Sequence, residues 1–250
     1  MKHQHPIPEI FQNTPILHRV PRSTDFASWH HYQYFVPYFK PGLTVLDVGC
    51  GAGTFSFIAA EKGCIVTGVD ISQDAISSCR VSAANLGLDV EFIYDDFVDM
   101  KIGKKYDIII CSEVLEHTED SLRVMEKLYE LLVDGGILLF SVPLYSAPLY
   151  RYHIWRFRRC ERDKSVGHLR RYMHWWIVAN LRHEGFVVQE QKLIEGLLRS
   201  WIAESKYGQL FRKVFGKLCI KRIVNWLDSL LIPIFGASNI IIIAKKRKGE

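Results

Sequence analysis

No two of the six cysteines form a C-x-x-C pair, no apolar run reaches 18 residues, and no G-x-x-x-x-G-K-[ST] loop occurs. Each absence removes a class. Scattered cysteines (Cys50, Cys64, Cys79, Cys111, Cys160 and Cys219) exclude a zinc ribbon or disulfide framework and suit a reducing compartment. Asp228, Pro233, Gly236, Ser238 and Asn239 interrupt the one candidate membrane span, Leu227 to Ala244, so a helix followed by a buried strand is expected there. Without the phosphate loop, a P-loop nucleotidase is excluded. The first residues, Met1 to Pro6, lack the apolar stretch of a secretory signal, so the expected location is cytoplasmic. There is no internal repeat or low-complexity tract.

What is present fits one domain of 250 residues. Its charge is segregated. Residues 1–149 carry 11 Lys+Arg against 19 Asp+Glu, whereas residues 150–174 carry 8 against 2 and residues 197–237 carry 7 against 2. Such asymmetry speaks to partners and not to fold.

Residues 1–25 hold four of the nine prolines and no apolar period, which predicts an extended arm; an aromatic-rich helix is predicted over 26–39. The organising stretch is Val45-Leu46-Asp47-Val48-Gly49-Cys50-Gly51-Ala52-Gly53, a doubly buried strand running into a glycine turn and then a helix over 54–62. Further strands are predicted at 64–69, 90–94, 106–111, 137–142, 186–190 and 239–244. Helices are predicted from Ser72 to about Leu86, from Thr118 to Leu132 and from Met173 to His183. Asp134-Gly135-Gly136 reads as the turn before the fifth strand. Strands alternating with helices in this rhythm predict a doubly wound, Rossmann-like α/β fold. Its seven-stranded sheet is mostly parallel, with the last strand antiparallel. The single domain then divides into an arm and helix (1–40), a cofactor core (41–142), two basic covering insertions (143–170 and 197–237) and a last strand and tail (238–250).

Glycines at the carboxyl end of the first strand belong to nucleotide-type cofactor sites. The third glycine comes one residue earlier than in G-x-G-x-x-G, and Asp47 sits inside the strand. This stretch resembles motif I of the class I S-adenosylmethionine-dependent methyltransferases. Asp70, Asp96 and Ser112-Glu113-Val114-Leu115-Glu116-His117 fall where that superfamily has its next motifs, and the pattern is similar to ubiquinone-pathway O-methyltransferases. The resemblance implies S-adenosylmethionine as cofactor. Gly49, Gly51 and Gly53 would let it approach, and Asp47 would support the loop and meet the tail ammonium. Asp70 would take the ribose hydroxyls and Asp96 the adenine amino group; Ile71 and Phe97 would cover the ring, and the backbone near Cys111 would close the pocket. An acid at position 70 serves NAD equally well. No tyrosine has a lysine four residues on, which leaves a nicotinamide oxidoreductase as a minor alternative.

Methyl transfer from a sulfonium is an in-line displacement governed by proximity and orientation, and a hydroxyl acceptor adds the need for a proton acceptor. His117 and His168 are the candidates. Glu113, Glu116 and His117, at i, i+3 and i+4, share one face if a helix begins that early. That spacing resembles the E-x-x-E-H metal site of small-RNA 2′-O-methyltransferases and of some ubiquinone-pathway enzymes, which implies Mg²⁺ or Mn²⁺, with His168 as a further ligand. The basic, aromatic insertions read as a lid helix, as a face for anionic lipid that delivers a small or amphiphilic acceptor (quinone, lipid or glycan), or, last, as an RNA-binding surface. A non-catalytic adenosylmethionine-binding scaffold is the rival from another class. Oligomeric state is not legible.

Overall fold

The computed structural model describes residues 20, 29–101, 103–158, 161–205, 207–208 and 218–247. The expected N-terminal arm lies outside this set, apart from Val20, as do Arg212, Lys213 and Lys217 of the second basic insertion.

Seven strands form one sheet: β1 (Thr44–Val48), β2 (Ile65–Asp70), β3 (Val90–Tyr94), β4 (Tyr106–Ser112), β5 (Leu132–Pro143), β6 (Phe186–Ile194) and β7 (Asn239–Lys246). Their order is β3-β2-β1-β4-β5-β7-β6. β1 through β5 pair in parallel, and β7 is antiparallel to both β5 and β6. The order reverses between β1 and β4, and the crevice at such a reversal is where open α/β sheets bind ligands.

Helices α1 (Trp29–Tyr32), α2 (Thr54–Glu61), α3 (Gln73–Leu86), α4 (Ser121–Leu131), α5 (Pro148–Phe157), α6 (Glu161–Val166), α7 (His174–His183), α8 (Leu197–Glu204) and α9 (Leu218–Phe235) surround the sheet. Alternation along β4 divides the core. Ile108 and Ile110 face a cluster with Phe35, Phe57 and Ile76, while Ile109 and Cys111 face Met125, Leu128 and Ile177. Both faces are covered, which is why the strands read as continuous apolar runs.

Four boundaries differ from expectation, each for a physical reason. The helix predicted over 26–39 is broken: α1 ends at Tyr32 and a 3₁₀ turn spans Val36–Tyr38. Pro37 in that turn has no N–H to continue an α-helix. α4 starts at Ser121 and not at Thr118, because Asp120 caps it by accepting from the amides of Leu122 and Arg123, both at 3.1 Å. β5 begins at Leu132, so Asp134-Gly135-Gly136 is a strand irregularity and not a turn; the β4–β5 register shifts between Tyr106 and Ile108. A Cβ on Gly136 would stand 2.8 Å from the carbonyl oxygen of Val133. β6 runs on to Ile194: its polar residues after Val188 face solvent at the sheet edge while their backbone pairs with β7. Among the described residues no helix is long and apolar enough to cross a membrane.

Candidate active site

The glycine loop leaves β1 at the switch point. Gly49, Gly51 and Gly53 all have positive φ, at 61°, 50° and 70°. A side chain at two of them would collide with packing: a Cβ at Gly49 would lie 2.6 Å from Val114 Cγ2, and one at Gly53 2.8 Å from the Phe57 ring. Glycine is needed here for conformation and for space.

Asp47 lies under this loop, 3% exposed. Its Oδ2 accepts from the amide of Ser56 (3.0 Å) and from Ser56 Oγ (2.6 Å), which fastens β1 to the first turn of α2. Burial raises the Asp47 carboxyl to about 7, against the lowering effect of the Ser56 bonds. Asp70 ends β2; its Oδ2 accepts from the Gly51 amide and its Oδ1 from the Ser72 amide, each at 2.8 Å. Burial raises its pKa too. Ile71, 52% exposed, stands beside it. Asp96 is exposed, and its Oδ1 accepts from the amide of Val98 at 2.9 Å. Phe97 is buried in the core cluster with Val69 and Met100. Cys111 is fully buried and its side chain belongs to the core, the thiol pushed up by burial and by neighbouring carboxylates.

A second group gathers beyond β4. Glu116 and His117 lie in a 3₁₀ turn, Leu115–His117, and not on a helix. The shared helical face expected for Glu113, Glu116 and His117 is therefore absent: Glu113 has φ 57° and turns away, while Glu116 and His117 meet His168. The amide of Leu169 donates to the Glu116 carbonyl (2.9 Å), holding the 167–172 segment against that turn. Tyr172 reinforces it: its hydroxyl donates to the Leu115 carbonyl at 2.9 Å and lies 2.6 Å from Ser121 Oγ. The His117 and His168 rings meet edge to face, 5.0 Å apart.

Glu116 is fully buried, and neither carboxylate oxygen has a hydrogen-bond partner. Its pKa is raised well above the ordinary range, by burial first and then by the charge of Glu113. A buried carboxyl with both oxygens unmatched is rare in folded proteins and calls for a ligand. The surroundings supply one chemistry. Ligand atoms of Glu116, His117 and His168 lie within 4.8 Å of one another. His117 Nδ1 is 3.1 Å from the carbonyl oxygen of Gly167, which leaves Nε2 as its other donor atom. His168 Nδ1 stands 3.3 Å from Asp163 Oδ1, within ion-pair range though not aligned as a hydrogen bond, and His168 Nε2 is 3.7 Å from Glu116 Oε1. Arg171 grips Asp163 with two nitrogens, at 2.8 and 2.6 Å. Imidazoles backed by a carbonyl and by an anchored carboxylate are the usual outer support of a metal-binding histidine. The donor set fits a divalent cation.

Sequence reasoning placed His117 and His168 in one site, and the fold joins them across 50 residues. It missed Asp163 and Arg171, which look like any residues of a basic loop. Nor does His31 stand out in the sequence. His31 Nε2 lies 2.9 Å from Ser141 Oγ and 3.3 Å from Ser112 Oγ, at the crevice ends of β5 and β4. Two serines closing apolar strands were the available signal.

A doubly wound sheet whose antiparallel β7 lies between β5 and β6, with a glycine loop after β1 and an acid ending β2, is the architecture of the class I S-adenosylmethionine-dependent methyltransferases. The methyltransferase-domain family model matches residues 39–173, and the chain belongs to that family. Among curated relatives, a ubiquinone biosynthesis O-methyltransferase of Coxiella burnetii is 40% identical over 101 residues, covering 40% of this chain and 43% of the relative. One from Actinobacillus pleuropneumoniae is 37% identical over 106 residues, covering 40% of this chain and 45% of the relative. The matched stretch thus spans less than half the length of either. A solved adenosylmethionine-dependent methyltransferase from Archaeoglobus fulgidus superposes with TM-score 0.62 at 21% identity, covering 95% of this chain and 97% of that one, a likeness of fold.

Proposed function

We propose that this chain transfers the methyl group of S-adenosylmethionine to an oxygen of a small or amphiphilic acceptor. The observation that carries the reading is the pair of features at one crevice: a cofactor cradle of Gly49, Gly51, Gly53 and Asp70, and the buried Glu116 beside His117 and His168. The cofactor supplies an activated methyl on a sulfonium. Asp70, acidic at the end of β2, suits the ribose diol, a charge-assisted bond to two donors. The exposed Ile71 offers an apolar surface to one face of the adenine, and Asp96 an acceptor at its edge.

Glu116, His117 and His168 would hold Mg²⁺ or Mn²⁺, which supplies Lewis acidity toward an acceptor hydroxyl. His117 is kept neutral near pH 7 by burial and by the adjacent His168, the form in which an imidazole ligates or accepts a proton. Arg171 holds the Asp163 carboxylate beside the ring of His168.

The covering helices support an amphiphilic acceptor. On α9, Ile223, Trp226, Leu227, Leu230 and Ile234 recur at helical spacing on the outer face, and all are exposed, Trp226 by 62%. Val224 and Asp228 turn inward. Exposed Tyr152 and Trp155 on α5 and Trp201 on α8 add aromatic surface, and Arg151, Arg156, Arg158 and Arg222 add positive charge. Such a face suits the interface of an anionic membrane, from which an amphiphilic acceptor enters. A cytoplasmic chain resting on the inner leaflet is the corresponding location.

Calorimetry with S-adenosylhomocysteine tests the cofactor, and a labelled-donor screen over quinol, lipid and glycan acceptors tests turnover. Binding without transfer to any acceptor would leave a scaffold. Mn²⁺ bound by the wild-type chain and lost in Glu116→Gln, read by electron paramagnetic resonance, tests the cation; equal binding by both would sink it. Co-sedimentation with anionic vesicles, weakened by salt and by Arg222→Glu with Trp226→Ser, tests the membrane face. Indifference to lipid charge would refute its electrostatic part.

A further inference from the structure

One polar group at the crevice belongs neither to the glycine loop nor to the Glu116 cluster. Alternation places it there. Ile108, Ile110 and Ser112 point to one face of β4, and Leu139 and Ser141 point to the same face of β5, so each apolar row ends in a hydroxyl. Ser112 and Ser141 are register partners, and their Oγ atoms lie 2.8 Å apart.

The fully buried Ser141 hydroxyl meets three groups: His31 Nε2 at 2.9 Å, Ser112 Oγ at 2.8 Å and Glu113 Oε1 at 3.2 Å. A hydroxyl has one proton to give, and an ionised carboxylate only accepts. Ser141 therefore donates to Glu113 and accepts from the other two, which puts the proton of a neutral His31 on Nε2. Phe35 and Phe55 hold the imidazole, with ring centroids 6.3 and 6.4 Å away.

Glu113 is fastened to Ser141 twice. Besides the side-chain bond, its amide donates to the Ser141 carbonyl at 3.1 Å. Its backbone is left-handed, φ 57°, a conformation that side chains rarely adopt and that persists where a group must be aimed. The place is telling. Cys111 pairs with Val48, so the next residues of β4 run beside Gly49, and Val114 packs against Gly49 itself. Asp47, expected to meet the tail ammonium, lies beneath the loop with Ser56 on its Oδ2.

We propose that Glu113 is the counter-charge for the ammonium of the cofactor's amino-acid tail, positioned by Ser141 and His31. A half-buried carboxylate at the rim of the glycine loop matches a ligand whose tail carries a cation there. The inference rests on the cofactor reading above.

Two ligands separate the parts. S-adenosylhomocysteine carries the amino-acid tail, and 5′-methylthioadenosine lacks it. Glu113→Gln is expected to weaken the first about tenfold or more and the second by less than about twofold, the loss of one charge-assisted contact. Ser141→Ala and His31→Leu weaken the first alone, and His31→Gln, which restores an N–H donor toward Ser141, recovers most of the loss. Unaltered S-adenosylhomocysteine affinity in Glu113→Gln would overturn the inference, as would equal weakening of both ligands, the mark of a collapsed loop. A wild-type chain that bound neither ligand would refute the cofactor reading and the inference with it.

Discussion

Asp47→Asn is expected to stabilise the ligand-free chain, and to do so more at alkaline than at acid pH. The folded carboxyl stands near 7 against 3.8 for a free one, because burial outweighs the two Ser56 bonds. An acid whose folded pKa is raised keeps its proton in the native state while the unfolded chain has lost it. Stability is then fully present below about 4 and falls as pH rises through about 7. Working the two titrations through linkage, the wild-type chain loses about 2.5 kcal/mol between about pH 5 and about pH 8 through this one group. The asparagine variant does not titrate, and its amide oxygen still accepts from the Ser56 amide and hydroxyl. Urea unfolding of both chains at the two pH values reads the difference of differences, in which the shared titrations cancel. Asp70 is the coupled neighbour, and Asp70→Asn alone serves as its control. A pH-dependent gap below about 1 kcal/mol would refute a protonated Asp47, and with it the view that the fold keeps a costly acid beneath the glycine loop.

The left-handed φ of Gly49 makes Gly49→Ala cost about 1–2 kcal/mol in urea, and the contact with Val114 adds to it. Adding Val114→Ala should recover the steric share only; full recovery would mean that the backbone was never strained. Asp228, buried on α9, accepts from the amides of Gly196 (2.7 Å), Leu198 (2.9 Å) and Arg199 (3.1 Å) and so caps α8 from outside. Asp228→Ala should cost about 3 kcal/mol and expose the first turn of α8 to hydrogen exchange; protected amides there would contradict the cap. Although burial would raise it, the Arg171 bonds and charge hold the Asp163 carboxyl well below the usual range. The depressed pKa contributes stability above the ordinary carboxylate range that is lost on acidification. Arg171→Gln should therefore cost about 2 kcal/mol near neutral pH and less in acid. A cost that did not shrink in acid would point to lost packing on Tyr150, over whose ring the guanidinium lies at 4.5 Å.

What could be foreseen from sequence was what depends on neighbours in the chain. β1 to β4 came out within about a residue, because doubly buried strands are apolar whatever surrounds them. The loop over Gly49, Gly51 and Gly53 was visible because three positive-φ residues leave a glycine signature. β6 was cut short, since an edge strand with Glu190, Gln191 and Lys192 in solvent has the composition of a loop. Asp163 and Arg171 were invisible for another reason: their meaning lies in His168, and only the fold brings that histidine to Glu116. His31 meets Ser141 across 110 residues, a contact no local pattern encodes.

The E-x-x-E-H stretch shows how one backbone angle changes the chemistry of a pattern. On a continuous helix, Glu113, Glu116 and His117 would crowd two carboxylates and an imidazole onto one face. The left-handed Glu113 breaks that arrangement. One carboxylate goes up to Ser141 and His31 beside the glycine loop, while the other goes inward to His117 and His168. On the proposed reading the first serves the donor and the second the acceptor, so the two acids divide the reaction between them. Their repulsion, which raises the pKa of Glu116 further, is then the cost of holding both substrates of an in-line transfer at the end of one strand. A cation at Glu116 would relieve it, and that is why Glu116→Gln should remove the Mn²⁺ signal while leaving S-adenosylhomocysteine binding intact. Glu113→Gln should do the reverse. Two variants three residues apart with opposite losses would be hard to produce by general damage to the site, and a shared loss would return both acids to one role.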